Sequence, residues 1–222
     1  MSTAKSIRWE IPHTVLILAS KGSGKSTLIA NFLTNPELYL KKYARVFIFS
    51  PTFKGDPSYA GITLPESQIF NTVEDPDIQG IVDMKMSPEY ENENFLIVFD
   101  DIVSDRNIKK SAILKELILN SRHYGEVDEE GIQHGFTLVF STQHLTSIPP
   151  YVRQNMNIVI TFKTNNNGAL KILWSEFGAS FNYKQFIKIF NFATSEKYHF
   201  LMTDGIDYFK DFQLMSIKRN PE

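Results

Sequence analysis

Residues Ala19–Thr27 read ASKGSGKST. A glycine-bearing turn that ends in Lys-Ser can wrap a phosphate chain, provided that a strand leads into it and a helix leads out. Both conditions are met: the apolar run Val15–Leu18 (VLIL) precedes it, and Leu28, Ile29, Phe32 and Leu33 follow at helical spacing. The backbone N–H groups of Lys21–Ser26 are then expected to point inward as an anion nest at a helix start. Residues Ser20, Lys21, Gly22, Ser23, Gly24, Lys25, Ser26 and Thr27 form the expected phosphate-binding set. Gly22 and Gly24 permit the tight turn and the close approach of backbone to phosphate. Lys25 is expected to reach the β- and γ-phosphates of ATP, and the Ser26 hydroxyl to ligate Mg²⁺. Ala19 stands where a first glycine is more usual.

A second group of chemical residues lies downstream. The run Phe95–Phe99 (FLIVF) is followed by Asp100 and Asp101. The C-terminal ends of buried strands are where open α/β sheets hold ligands. Asp100 is expected to hold Mg²⁺ through water, and Asp101 to orient or deprotonate an attacking water. The plainer reading makes Asp101 the cap of a helix beginning in Ile102–Asp105. Thr137–Phe140 (TLVF) leads into Ser141, Thr142 and Gln143, which places Gln143 to touch the terminal phosphate or the lytic water. An ordinary polar strand end would look the same. Arg122 and Arg153 flank that strand, and either could stabilise the developing phosphoryl charge of a neighbouring subunit's nucleotide. The alternative for each is a surface ion pair, worth about 0–1 kcal/mol. None of the five histidines has metal-ligand spacing.

These residues need a scaffold that brings strand ends together. Besides VLIL, FLIVF and TLVF, the runs Val46–Phe49 and Ile158–Phe162 are apolar without alternation. Strands of that kind are buried on both faces, as in a parallel sheet covered by helices. Helical patterns fall over Lys25–Leu33, Lys109–Asn120 and Tyr183–Phe192, with Asn35-Pro36 ending the first. Pro51–Pro65, Glu74–Asn94 and Glu126–Gly131 read as loops, and Tyr198–Met202 and Phe212–Ile217 as edge strands or a hairpin. The expectation is an α/β P-loop NTPase. It is one domain over 1–222 with a core of about 12–217, having a mostly parallel sheet flanked by helices.

Composition narrows the classes. There is no cysteine among the 222 residues, which excludes disulfides, thiolate zinc sites and a cysteine nucleophile. The N-terminus lacks the apolar stretch of a signal peptide, and no apolar run approaches the roughly 18 residues of a membrane span. Net charge is −2, but it is uneven: +6 over residues 1–54, −10 over 55–107 and +2 beyond. A local basic surface is compatible with that distribution.

Taken together, ASKGSGKST, VFIFSPTF, FLIVFDD, SRHYG, FTLVFSTQ and IPPYVRQN resemble the genome-packaging ATPases of the FtsK–HerA superfamily. The likeness is to the poxvirus-type packaging ATPases of large DNA viruses, virophages and double-jelly-roll viruses. It runs from about residue 12 to 217, and the order SRH…STQ…IPPYVRQN discriminates more than the phosphate loop does. The resemblance implies a motor that hydrolyses ATP and threads double-stranded DNA into a preformed capsid. It implies a pentameric or hexameric ring with nucleotide between subunits, and capsid vertex proteins as partners. An ASCE, RecA-like sheet, with an extra strand between the phosphate-loop strand and the acidic strand, belongs to the same plan. So does a place in the host cytoplasm, viral factory or virion rather than outside the cell. The acidic segment Glu126–Gly131 departs from what a DNA-facing surface would carry.

Contacts to DNA would be to phosphates rather than bases. Lys41, Lys42, Arg45, Lys54, Lys109, Lys110, Lys184 and Lys188 are the candidates, although solvated lysines on helix faces read the same way. Two other functions compete. Another FtsK–HerA-type translocase would share every motif. A nucleoside or nucleotide kinase would share the phosphate loop, but usually carries an arginine-rich lid not seen here. A GTP-operated switch needs an N-K-x-D motif, and Asn165-Asn166-Asn167-Gly168 is not one.

Overall fold

A run with no polar face has to be covered on both sides, and the five apolar runs are covered in that way. In the computed structural model, which describes residues 10–101, 108 and 110–217, they lie within strands of one sheet. The strands are β1 (Thr14–Leu18), β2 (Arg45–Phe49), β3 (Ile69–Phe70), β4 (Phe95–Asp100), β5 (Phe136–Thr142), β6 (Ile158–Phe162), β7 (Phe200–Thr203), β8 (Tyr208–Lys210) and β9 (Gln213–Leu214). Among the described residues their order is β3-β2-β4-β5-β1-β6-β7-β8-β9. The strands from β3 to β6 are parallel, and β7 to β9 continue the sheet antiparallel. The expected extra strand is present: β5 lies between β1 and β4.

Among the described residues the helices include α1 (Lys25–Thr34), α2 (Asp75–Lys85), α3 (Ala112–Asn120), α4 (Pro150–Arg153), α5 (Asn167–Phe177) and α6 (Tyr183–Ala193). Alternate residues of each strand face opposite layers. Leu16, Phe47, Ile97 and Phe140 point into one core, with Ile78 and Ile81 of α2, Leu114 and Leu117 of α3, and Phe186 and Phe190 of α6. Val15, Ile17, Val98 and Ile160 point into the other, with Leu28, Ile29 and Phe32 of α1. Part of the phenylalanine content is spent on one ladder. Phe70, Phe49, Phe99 and Phe140 stack across β3, β2, β4 and β5 with centroids 4.6, 5.1 and 4.7 Å apart. Such pairs add roughly 0.5–1.5 kcal/mol each beyond area burial, and they fix the lateral order of the strands that carry the acidic pair.

Three expectations are corrected. Glu74–Asn94 is not all loop, because α2 occupies Asp75–Lys85. Pro76 sits in the first turn, where its missing N–H costs nothing. Asp75 and Asp77 lie at the positive helix end and Lys85 at the negative end. Helix α5 was not foreseen; the Asn166 side chain caps it by accepting from the Ala169 N–H. The C-terminal strand over Phe212–Ile217 shrinks to Gln213–Leu214, and Tyr208–Lys210 forms β8 instead. Lys109 and the helix start expected at Ile102–Asp105 lie outside the described residues. No described helix is long and apolar enough to cross a membrane.

Candidate nucleotide site

The turn between β1 and α1 is fixed by two glycines with positive φ, Gly22 at 77° and Gly24 at 101°. A side chain at either would be strained. The Ala19 N–H donates to the Thr142 carbonyl at 3.0 Å, which ties the loop to the end of β5. The Ser23 N–H and hydroxyl both donate to the Ser20 carbonyl. Helix α1 has no side-chain cap and no acidic residue in its first turn. Its first N–H groups and its positive dipole end are therefore left for an anion. Ser20, Lys21 and Thr27 are exposed, Ser23, Gly24 and Ser26 are half-buried, and Lys25 is buried.

The sheet register brings the strand ends to the same edge. Leu18 pairs with Thr142, and Asp100 with Ser141. Lys25 Nζ reaches both carboxylates, 2.8 Å from Asp100 Oδ1 and 2.6 Å from Asp101 Oδ2. Gln143 Nε2 donates to Asp101 Oδ2 at 3.1 Å. Lys25, Asp100, Asp101 and Gln143 thus form one hydrogen-bonded group, as their positions in the sequence suggest. Asp101 adopts φ 56°, a left-handed conformation uncommon outside glycine, asparagine and aspartate. That turn aims its carboxylate back over the loop, and the Asp101 N–H donates to Ser141 Oγ.

Four further residues enter the site. Asp100 is 1% exposed and accepts from the hydroxyls of Ser141 at 2.5 Å, Tyr59 at 2.8 Å and Ser50 at 3.4 Å. Ser50 and Ser141 follow the signal that singles out Asp100, a polar residue at the C-terminal end of an apolar run. Tyr59 and Asp56 carry no such signal. They arrive on the segment after β2, where Asp56 caps the short turn Pro57–Tyr59 by accepting from the Ser58 N–H. Burial, and then the Asp100 charge, push the Tyr59 hydroxyl far above the ordinary tyrosine range. Burial pushes the Asp56 carboxyl up, but hydrogen bonds from Ser58 and Ser26 and the Lys25 charge outweigh it and leave it below the usual range.

The Pro57–Tyr59 turn packs against α1, which carries Ser26, while Tyr59 donates to Asp100, so Ser26 and Asp100 lie on either side of Tyr59. Among the described residues no cluster of three His, Cys, Asp or Glu side chains could by itself hold a metal. A hydroxyl and a carboxylate converging beside an anion nest suit a hard cation that takes its remaining ligands from phosphate and water. The residues therefore fit Mg²⁺ carried in with a nucleotide.

The two arginines part company. Arg122 is exposed, in the turn Ser121–His123 at the N-terminal edge of the sheet. That edge is opposite the phosphate loop, about 16 Å away along a five-residue strand. Gly135 sets this turn, since a side chain there would lie 2.5 Å from the Ser121 carbonyl. Arg153 is 9% exposed and already engaged. Its Nε and one terminal nitrogen grip the Glu176 carboxylate at 2.9–3.2 Å, and the other terminal nitrogen donates to the Ile148 carbonyl at 2.7 Å. In this geometry its guanidinium joins α4 to α5 and does not stand free for a neighbouring nucleotide. Of the basic candidates for DNA, Lys54 pairs with Glu66 and Arg45 with Tyr90, whereas Lys184 and Lys188 are exposed on α6.

No protein-family model matches the chain. It is 27% identical over 165 residues to uncharacterized protein 075L of Invertebrate iridescent virus 6, a match covering 72% of this chain and 58% of the relative's length. Its fold is similar to that of the genome packaging NTPase B204 from Sulfolobus turreted icosahedral virus 2, solved in complex with AMP. The TM-score is 0.61 at 19% identity, over 86% of this chain and 92% of that one. The pCW3 conjugation coupling protein TcpA, solved with ATPγS, gives a TM-score of 0.56 at 17% identity, over 91% of this chain and 60% of that one. At these identities the likeness is one of fold, and the α/β P-loop NTPase fold expected from the sequence is the fold observed.

Proposed function

We propose that this chain is an ATPase that converts ATP hydrolysis into movement of double-stranded DNA, and that it serves viral genome packaging. One observation carries the reading: Lys25, Asp100, Asp101 and Gln143 converge at the mouth of the phosphate loop. A kinase needs the loop and one carboxylate. A second carboxylate directly after the first, held by a neighbouring-strand amide, suits the activation of an attacking water.

Residues Ser20–Thr27 would hold the phosphates through backbone N–H groups. Lys25 would exchange its two carboxylate partners for the β- and γ-phosphate oxygens, which frees Asp101. Ser26 and Asp100 would hold Mg²⁺, which neutralises charge on the β- and γ-phosphates. Asp101 takes the proton of a water that attacks the γ-phosphorus; the bond to the bridging oxygen breaks, and ADP and phosphate leave. Gln143 orients that water and reports the loss of the γ-phosphate to the segment after β5. Arg122 would complete the site of a neighbouring subunit, because its own phosphate loop lies at the other edge of the sheet.

The likeness in fold to a packaging NTPase and to a conjugation coupling protein supports a translocating ATPase. Assembly into a pentameric or hexameric ring, capsid vertex partners, phosphate-backbone contacts to DNA and a place in the host cytoplasm or viral factory extend the proposal. The test is steady-state ATP hydrolysis across protein concentration, with and without linear double-stranded DNA. Turnover that rises with both assembly and DNA is the expected result. Turnover indifferent to both but switched on by a nucleoside would replace this reading with a kinase.

A further inference from the structure

Tyr198 stands against the phosphate loop on the side away from the carboxylates. Strand β1 is flanked by β5, which leads toward Asp100 and Asp101, and on its other side by β6. The last residue of β6, Phe162, pairs with Phe200, the first of β7. The chain therefore enters β7 at the edge where β1 delivers the loop, and Tyr198 precedes it by two residues. Contact agrees with topology: a side chain on Gly24 would meet Tyr198 Cδ1 at 3.3 Å and its Cβ at 3.9 Å.

Three properties set this tyrosine apart from a packing residue. It is 58% exposed. Its φ is 70°, a left-handed conformation that is strained for a bulky side chain. Its ring carries the Lys197 ammonium 4.6 Å from the centroid, a solvated cation where a planar group could lie. Strain held at the mouth of a ligand site points to a use for the side chain there.

The direction of a bound nucleotide follows from the sheet. Its terminal phosphate has to lie toward Lys25, Asp101 and Gln143, on the β5 side of the loop. The nucleoside then leaves the loop on the opposite side, toward β6 and β7. We propose that Tyr198 is the stacking platform for the base of the bound nucleoside triphosphate. It sets the preference for a nucleotide over bare polyphosphate, and it rests on the reading of Ser20–Thr27 as the triphosphate site. Stacking on an aromatic face is tolerant of base identity. Tyr198 should therefore favour ATP and GTP alike, and discrimination between them falls to other groups.

The experiment is calorimetric titration of the full chain with ATP and with inorganic tripolyphosphate, both with Mg²⁺. Wild type, Tyr198→Phe and Tyr198→Asn are compared; asparagine tolerates a left-handed backbone and removes the ring. The wild type should bind ATP more tightly than tripolyphosphate. Tyr198→Asn should weaken ATP about tenfold or more while leaving tripolyphosphate unchanged, and Tyr198→Phe should match the wild type. An Asn variant that binds ATP at full strength overturns the proposal. So does one that weakens both ligands equally, which would make Tyr198 a prop for the loop. A wild type that binds neither ligand overturns the triphosphate site itself, a failure distinct from the other two.

Discussion

The two edges of the sheet are built on different principles. At the C-terminal edge the charges are dense and internally satisfied: both Asp100 oxygens are engaged, and Lys25 bridges the two aspartates. Asp101 and Tyr198 also hold left-handed backbone there. At the N-terminal edge Arg122 is exposed beside an open cavity of about 300 Å³, whose lining includes Thr14, Gln154, Asn155 and Asn157. Next to it, His13 is buried at the start of β1. One edge holds the groups proposed to bind and cleave a phosphate chain, and the other holds a guanidinium a strand's length away from them. A single copy cannot bring the two together across that distance. Stacking copies with opposite edges facing would do so.

The largest effect tests that division. Arg122→Ala should lower turnover by about 10³–10⁵-fold with ATP binding retained. Mixing it with Lys25→Ala subunits, which are inactive but keep their own Arg122, should restore part of the activity. Mixed assemblies that stay dead, measured by steady-state phosphate release, would leave Arg122 a local structural residue and remove the argument for complementary edges.

Next in size is Asp101→Asn, expected to cost about 10²–10⁴-fold in single-turnover hydrolysis. Asparagine tolerates φ 56° and still accepts a hydrogen bond, so the loop should keep its shape and its affinity for ATP. Turnover near wild type would reduce Asp101 to a tether for Lys25. Arg153→Ala should behave in the opposite way. It strips a largely buried partner from Glu176 and the Ile148 carbonyl, and the stability loss should be about 2–3 kcal/mol. Turnover per folded molecule should not change. Thermal unfolding and activity measured on the same sample separate this from a catalytic role.

How far the sequence reveals each edge follows from how local its causes are. Strands buried on both faces leave continuous apolar runs, so β1, β2, β4, β5 and β6 are visible, and Asp100, Asp101 and Gln143 fall at their ends. The phosphate loop is visible because the backbone demands glycine where φ is positive. Helix α2 is hidden by Asp75-Pro76, which signals a turn and a helix start equally well. Tyr59, Asp56 and Tyr198 are hidden because chain folding, not spacing, returns their segments to the loop. The pairing of Arg153 with Glu176 spans 23 residues and two helices, and an arginine bound in that way looks the same in sequence as a free one.

The smallest effect concerns the charge at the N-terminal edge. His13 Nδ1 contacts the Glu10 carbonyl at 3.0 Å and Nε2 contacts the Tyr39 hydroxyl at 2.6 Å, which suits a neutral ring. Burial, aided by the Arg122 and Lys42 charges and opposed by the Glu10 carbonyl, lowers its pKa from 6.5 to about 4. The unfolded chain therefore binds a proton between those values that the folded chain does not, so stability rises with pH across that window. The contribution of neutral His13 is fully present above 6.5 and is lost progressively as pH falls toward 4. At pH 5.5 the loss should be about 1 kcal/mol. Urea unfolding of wild type and His13→Gln at pH 7 and pH 5.5 isolates it, because other titrating groups cancel in the comparison. An equal acid loss in both proteins would mean that His13 can take up a proton in place. The N-terminal edge would then be open to water beneath Arg122, and the contrast with the buried Asp100 at the other edge would be weaker.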